Sequence, residues 1–196
     1  CFHLLGILNM KGPIVKSITM TSMIEHLGEI YDVPVLTTPV GFKHLGPVMT
    51  AENALAAGEE SGGYAFRDNI PERDGILSGL MLLDMMVKTD QNPSELLSRL
   101  FAKVGPHHFE RLDLAFNPAN RASILRRVSS WKPNKLGNVK VQSIDTTDGF
   151  RFVLDGGWWT LIRFSGTEPL LRIYAEADSP GLVQDLIQEA RLAVEL

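Results

Sequence analysis

The chain contains a single cysteine, at position 1, among its 196 residues. No internal disulfide can therefore form and cysteine-based metal sites are excluded, which fits a reducing, cytoplasmic setting. No apolar run approaches the roughly 20 residues that a membrane span needs. Runs rich in lysine and arginine are also missing, and the formal net charge is −4. A general nucleic-acid partner is not expected from that balance. There are no internal repeats and no low-complexity segments. The opening Cys1-Phe2-His3-Leu4-Leu5-Gly6-Ile7-Leu8 is apolar but has no basic leader, no cleavage site and no initiating methionine. It reads as the interior of a helix, and the chain as a piece of a longer one.

What is present is the composition of a soluble globular protein, 44% hydrophobic and 21% charged. The first half alternates strand and helix signals. Pro13–Thr19 and Val33–Thr37 are β-rich, with a helix between them that opens on the capping-box spacing of Ser22 and Glu25. Pro47 is placed at the start of a second helix running to about Gly58. Asp74 caps a helix so apolar all round (Ile76, Leu80, Leu83, Met85, Met86) that it is expected to be the buried one. Asn92-Pro93 opens a further helix that Gly105 closes. This alternation predicts a layered α/β domain over residues 1–105. Residues 106–196 follow another order: a strand-like Phe109–Phe116, a helix after Asn117-Pro118, four β-rich runs, and a last helix from Ser179-Pro180. That predicts an α+β domain, a four-stranded antiparallel sheet with two helices on one face.

Two segments carry chemistry. Arg163-Phe164-Ser165-Gly166-Thr167-Glu168-Pro169 lies between two strand-like runs and reads as a phosphate receptor. Arginine offers a planar, permanently charged fork, Ser165 and Thr167 add hydroxyls, and Gly166 frees the backbone to turn N–H groups into one concavity. Gly58-Glu59-Glu60-Ser61-Gly62-Gly63 places two carboxylates and a serine in a glycine-bounded loop, suited to accepting from vicinal sugar hydroxyls. Gly41-Phe42-Lys43-His44 is a third patch, where Lys43 could meet a phosphate and His44 could titrate near neutrality. A metal site from Glu59, Glu60, Asp68 or Asp74 is not expected, because no cluster completes a coordination pattern. The side chains of His107 and His108 diverge in an extended segment and are not read as chelators.

In this order the three patches resemble the C-terminal half of the α-D-phosphohexomutases, the phosphoglucomutase and phosphomannomutase family. The sugar loop of the form Gly-Glu-x-Ser-Gly is matched by Gly58 to Gly62, and the phosphate loop Arg-x-Ser-Gly-Thr-x-Pro by Arg163 to Pro169. The resemblance implies that Glu59 and Ser61 bind sugar hydroxyls. Arg163, Ser165, Gly166 and Thr167 would grip the phosphate that is not transferred, and Lys43, with His44 beside it, would contact the phosphosugar. It further implies a shift of phosphate between C1 and C6 of a hexose, with Mg²⁺ and glucose 1,6-bisphosphate taking part and the N-terminal domains of the same protein as partner. The family's phosphoserine loop and Asp-x-Asp-x-Asp loop are not found. Asp145-Thr146-Thr147-Asp148 has the wrong spacing, so no catalytic or metal residue is assigned and this polypeptide is expected to be inactive alone. Glu60 with Gly63 looks most like glucose-type members. A mannose- or glucosamine-phosphate mutase, or a non-catalytic sugar-phosphate-binding module, are the alternatives.

Overall fold

A computed structural model describes residues 1–195, which divide into two compact units, Cys1–Pro106 and a second beginning at His107. In the first unit the strands β1 (Ile14–Ser17), β2 (Val35–Thr38), β3 (Ala56–Gly58) and β4 (Tyr64–Phe66) form one sheet in the order β2-β1-β3-β4. β1 runs parallel to β2 and to β3, while β4 pairs antiparallel with β3. Parallel strands are covered on both faces, and β1 is buried along its whole length. Successive residues point to opposite faces. Ile14 and Ala56 thus join a core with α1 (Met23–Tyr31), α3 (Gly75–Thr89) and α4 (Pro93–Val104), and Val15 and Ala57 a separate one with α2 (Phe42–Ala51). The result is a three-layer α/β/α unit.

Three expectations need correction. α2 begins at Phe42, not Pro47, because Gly41 turns the chain at φ +114°. The helix stops where Asn53 takes a left-handed φ of +49°, freeing Ala56–Gly58 to become β3. Ser22 forms no side-chain cap, since its own backbone is already helical; Thr21 Oγ1 accepts from the Met23 N–H instead, at 3.1 Å. α3 is not the buried helix. Only Met85 is fully buried there, while Ile76, Leu80, Leu83 and Val87, spaced four, three and four residues apart, form an exposed stripe. The signals at the other helix ends are realised. Asp74 Oδ1 accepts from the Leu77 N–H at 2.8 Å, and Asn92 and Glu95 form a reciprocal capping box.

The second unit holds one antiparallel sheet, ordered β5-β10-β9-β8-β7-β6. The expected four-strand meander is β7 (Val139–Asp145), β8 (Phe150–Leu154), β9 (Trp159–Phe164) and β10 (Leu170–Ala177). Two more strands make the sheet six-stranded. β5 (His108–Ala115) pairs with β10 from end to end, and the short β6 (Lys135–Leu136) extends β7. Helices α5 (Arg121–Ser130) and α6 (Pro180–Val194) pack Ile124, Val128, Val183, Leu186 and Ile187 on the face carrying Phe152, Ile162 and Ile173. Among the described residues no helix is long and apolar enough to cross a membrane.

Candidate functional site

The loop joining β3 to β4 is closed by its own backbone: Glu59 N–H donates to Gly63 O at 3.0 Å and Gly62 N–H to Glu59 O at 3.1 Å. Glu59 is buried, and its Oε1 accepts from the Gly41 N–H at 2.7 Å. A carboxylate has more acceptor sites than that one donor uses, so Glu59 keeps capacity for a hydroxyl. Lys43, in the first turn of α2, lays its stem over Gly41; a Cβ there would stand 3.7 Å from Lys43 Cγ. Lys43 and Glu59 are therefore brought together around Gly41. Ser61 is exposed at the loop tip, and Gly62, at φ +88°, has open space around it. His44 is half-buried one residue beyond Lys43, its N–H bonded to Gly41 O at 2.8 Å.

The sequence reading missed the groups that fix this loop. Thr19 Oγ1 donates to the Glu60 carboxylate, and Ser17 Oγ lies 2.9 Å from Thr19 Oγ1, which leaves Ser17 as the donor in that pair. Burial, then the charge of Glu60, hold the Tyr64 phenol above its ordinary pKa. Lys16, fully buried in β1, donates to Met20 O at 3.1 Å and Thr21 O at 2.9 Å and pairs with Glu25 at 2.7 Å, tying β1 to the start of α1. Arg73 lies against Gly63 and holds its guanidinium carbon 5.5 Å from the Phe42 ring centre. A basic residue one position before the Asp74 cap was the available signal for Arg73. Nothing local in the sequence ties Thr19 to Glu60.

The second loop lies between β9 and β10. Ser165 N–H donates to Leu170 O at 2.8 Å, closing its base. The buried Ser165 Oγ accepts long hydrogen bonds from Thr167 N–H (3.4 Å) and Glu168 N–H (3.3 Å), so its O–H remains a donor. The chain bends over residues 166–169 without a positive φ at Gly166; a Cβ there would meet nothing within 4 Å, which leaves that side of the loop open. Arg163 Nε donates to Asp148 Oδ2 at 2.9 Å, in the turn between β7 and β8. Arg172 stands directly across from Arg163 in the β9–β10 register and pairs with Glu168 at 3.1 Å.

The structure also holds an apolar cavity. About 610 Å³ in volume, it sits in the first unit and is lined mainly by apolar side chains such as Phe2, Leu27, Met81 and Leu96. It offers hydrocarbon, not partners for hydroxyls or phosphate. Among the described residues no three His, Cys, Asp or Glu side chains stand together as a metal site. Asp145 accepts from the Thr147 N–H and hydroxyl, and Asp148 holds Arg163.

Comparison with known proteins agrees with this architecture. Residues 4–104 match the family described as phosphoglucomutase/phosphomannomutase, alpha/beta/alpha domain III, and residues 119–193 match its C-terminal domain. A phosphoglucomutase/phosphomannomutase of Thermococcus kodakarensis is 28% identical over 92% of this chain and 37% of its own length. A phosphoglucosamine mutase of Methanococcus aeolicus is 30% identical over 90% of this chain and 37% of its own. A crystal structure from Thermus thermophilus, provisionally named a phosphomannomutase, superposes with a TM-score of 0.79 at 32% identity, covering 100% of this chain and 40% of that one. Fold and matches place the chain with the α-D-phosphohexomutases, over their C-terminal half. It belongs to the phosphoglucomutase/phosphomannomutase family. The chain spans about two-fifths of the length of the curated relatives it matches.

Proposed function

We propose that this chain is the substrate-gripping part of a hexose-phosphate mutase that interconverts glucose 1-phosphate and glucose 6-phosphate through a bisphosphorylated intermediate. The observation that carries the reading is the Arg163–Glu168 loop: a fixed guanidinium, a buried serine hydroxyl and an open glycine within one short run between two paired strands. Arg163, Ser165, Gly166 and Thr167 hold the phosphate that stays in place. Glu59 and Ser61 accept from and donate to sugar hydroxyls, and Lys43 meets the phosphosugar. Fixing the distal phosphate orients the reacting end, and positioning of this kind lowers reaction barriers by several kcal/mol. The phosphoryl donor and the Mg²⁺ loop belong to the portion of the relatives that this chain does not match, so the chain by itself binds and does not convert.

Calorimetric titration with glucose 1,6-bisphosphate tests the reading. Weak binding is expected, largely removed by Arg163→Ala; equal affinity in the two proteins overturns the phosphate assignment. Glucose 1-phosphate supplied with Mg²⁺ should not be converted, and turnover by the chain alone would overturn its division of labour. Several relatives are named phosphoglucosamine mutases, which favours glucosamine phosphate as a second reading of the sugar. Competition between glucose, mannose and glucosamine 6-phosphates separates these. A non-catalytic binding module is excluded once the longer protein shows mutase turnover that Arg163→Ala abolishes.

A further inference from the structure

Arg163 is held more tightly than a surface arginine on a loop needs to be. Its Nε donates to Asp148 Oδ2 at 2.9 Å, with side-chain exposures of 13% and 23%. Asp148 is itself fixed by its neighbour. Gly149 takes φ +107°, and a Cβ there would stand 2.6 Å from Ile162 O and 3.1 Å from Arg163 Cβ. The turn backbone is thus pressed against β9 at the residue it serves, and β8 pairs there in register, Phe150 opposite Ile162. Arg172, facing Arg163 across the ladder, would repel it, but lies 3.1 Å from Glu168 and 3.8 Å from Asp113. Each arginine has its own carboxylate. A guanidinium carries five N–H donors in a rigid plane, so a bond through Nε fixes the plane while leaving terminal nitrogens for a second acceptor.

We infer that Asp148 is a positioning residue for the phosphate loop: it grips Arg163 through Nε and presents the rest of the guanidinium to an anion bound at Ser165–Thr167. The inference rests on the phosphate reading of that loop. Asp148 touches no substrate in this scheme; it acts through Arg163.

The test compares wild type, Arg163→Ala, Asp148→Ala and Asp148→Asn, with glucose 1,6-bisphosphate as the probe and thermal melting as the check on folding. Asp148→Ala should weaken binding about 10-fold, the scale of one hydrogen bond to a charged group, whereas Asp148→Asn, whose amide oxygen still accepts from Nε–H, should recover to within about threefold of wild type. In ¹H–¹⁵N spectra the Arg163 Nε–H should be protected from solvent exchange in wild type and in Asp148→Asn and exposed in Asp148→Ala. Binding by Asp148→Ala that equals or exceeds wild type, with Arg163→Ala still defective, overturns the inference and leaves the phosphate reading standing. Equal binding by wild type and Arg163→Ala removes the phosphate reading itself. Should Asp148→Ala not fold, the exchange of Arg163 Nε–H in wild type decides alone, and exchange as fast as that of an exposed arginine overturns the inference.

Discussion

The Gly41 N–H donates to Glu59 Oε1 at 2.7 Å, joining the start of α2 to the loop after β3. The carboxylate proposed to meet the sugar therefore also holds the Gly41-Phe42-Lys43 turn. Glu59→Ala removes the acceptor of a backbone donor and should cost about 1–3 kcal/mol in chemical denaturation. Glu59→Gln keeps an oxygen there and should cost less than half as much. If the two variants denature alike, the bond to Gly41 does not shape the loop.

Lys16 makes a sharper case. It is fully buried and serves two carbonyls and the partly exposed Glu25 carboxylate. Lys16→Met leaves all three acceptors without that donor. Removing one partner of a buried ion pair costs roughly 3–5 kcal/mol, and the exposure of Glu25 brings the expected loss to about 2–3 kcal/mol. Lys16→Met with Glu25→Gln should recover part of it, since the unpaired charge is gone. A double variant no more stable than the single one would show that Glu25 is not the relevant partner.

The motifs that locate the two candidate loops were legible because each is one short run between strands, and the strands themselves follow from β-rich segments bounded by turns. What stayed hidden depends on distance along the chain. Thr19 reaches Glu60 across 41 residues, and Gly41 reaches Glu59 across 18. The start of α2 lies at Phe42 and not at Pro47 for a related reason: local propensity favours proline at a helix start, while the Gly41 turn that opens the helix is anchored by Glu59 in the loop after β3. The burial expected for α3 failed differently. Its composition is apolar on every side, so periodicity could not say which face meets the sheet, and Met85 alone became fully buried. β5 was recognised as a strand, but its place beside β10 is long-range and added a strand to the expected sheet.

The uneven burial of α3 gives a measurable contrast. Leu83→Ser and Ile76→Ser, on the exposed stripe, should change stability by less than about 0.5 kcal/mol. Leu45→Ala, in the core beneath α2, should cost about 2–5 kcal/mol. A loss at Leu83 comparable to that at Leu45 would mean that the stripe is covered in solution.

The Asp74 cap sets a pH dependence. Its carboxyl is held below its ordinary value of 3.8, first by the Leu77 N–H and then by Asn69. A group whose folded pKa is lowered contributes stability that is complete above the unfolded pKa and is lost as pH falls through the folded one. In the acid limb the unfolded chain binds the extra proton, so stability there rises with pH. Asp74→Asn keeps an acceptor for the Leu77 N–H but cannot titrate. Its melting temperature should fall less steeply than that of wild type as pH drops below about 4. Parallel acid limbs for the two proteins would show that other carboxylates carry the dependence.

Gly149 ties stability to the proposed site. Any side chain there must adopt φ +107° and place Cβ 2.6 Å from a backbone oxygen that cannot swing away. Gly149→Ala should cost at least about 2 kcal/mol, from the strained backbone together with displacement of the turn against β9. Because the turn carries Asp148, the same variant should expose Arg163 Nε–H to exchange at temperatures where the protein is still folded. Stability lost while Nε–H stays protected would mean that the Asp148–Arg163 pair does not depend on where this turn lies.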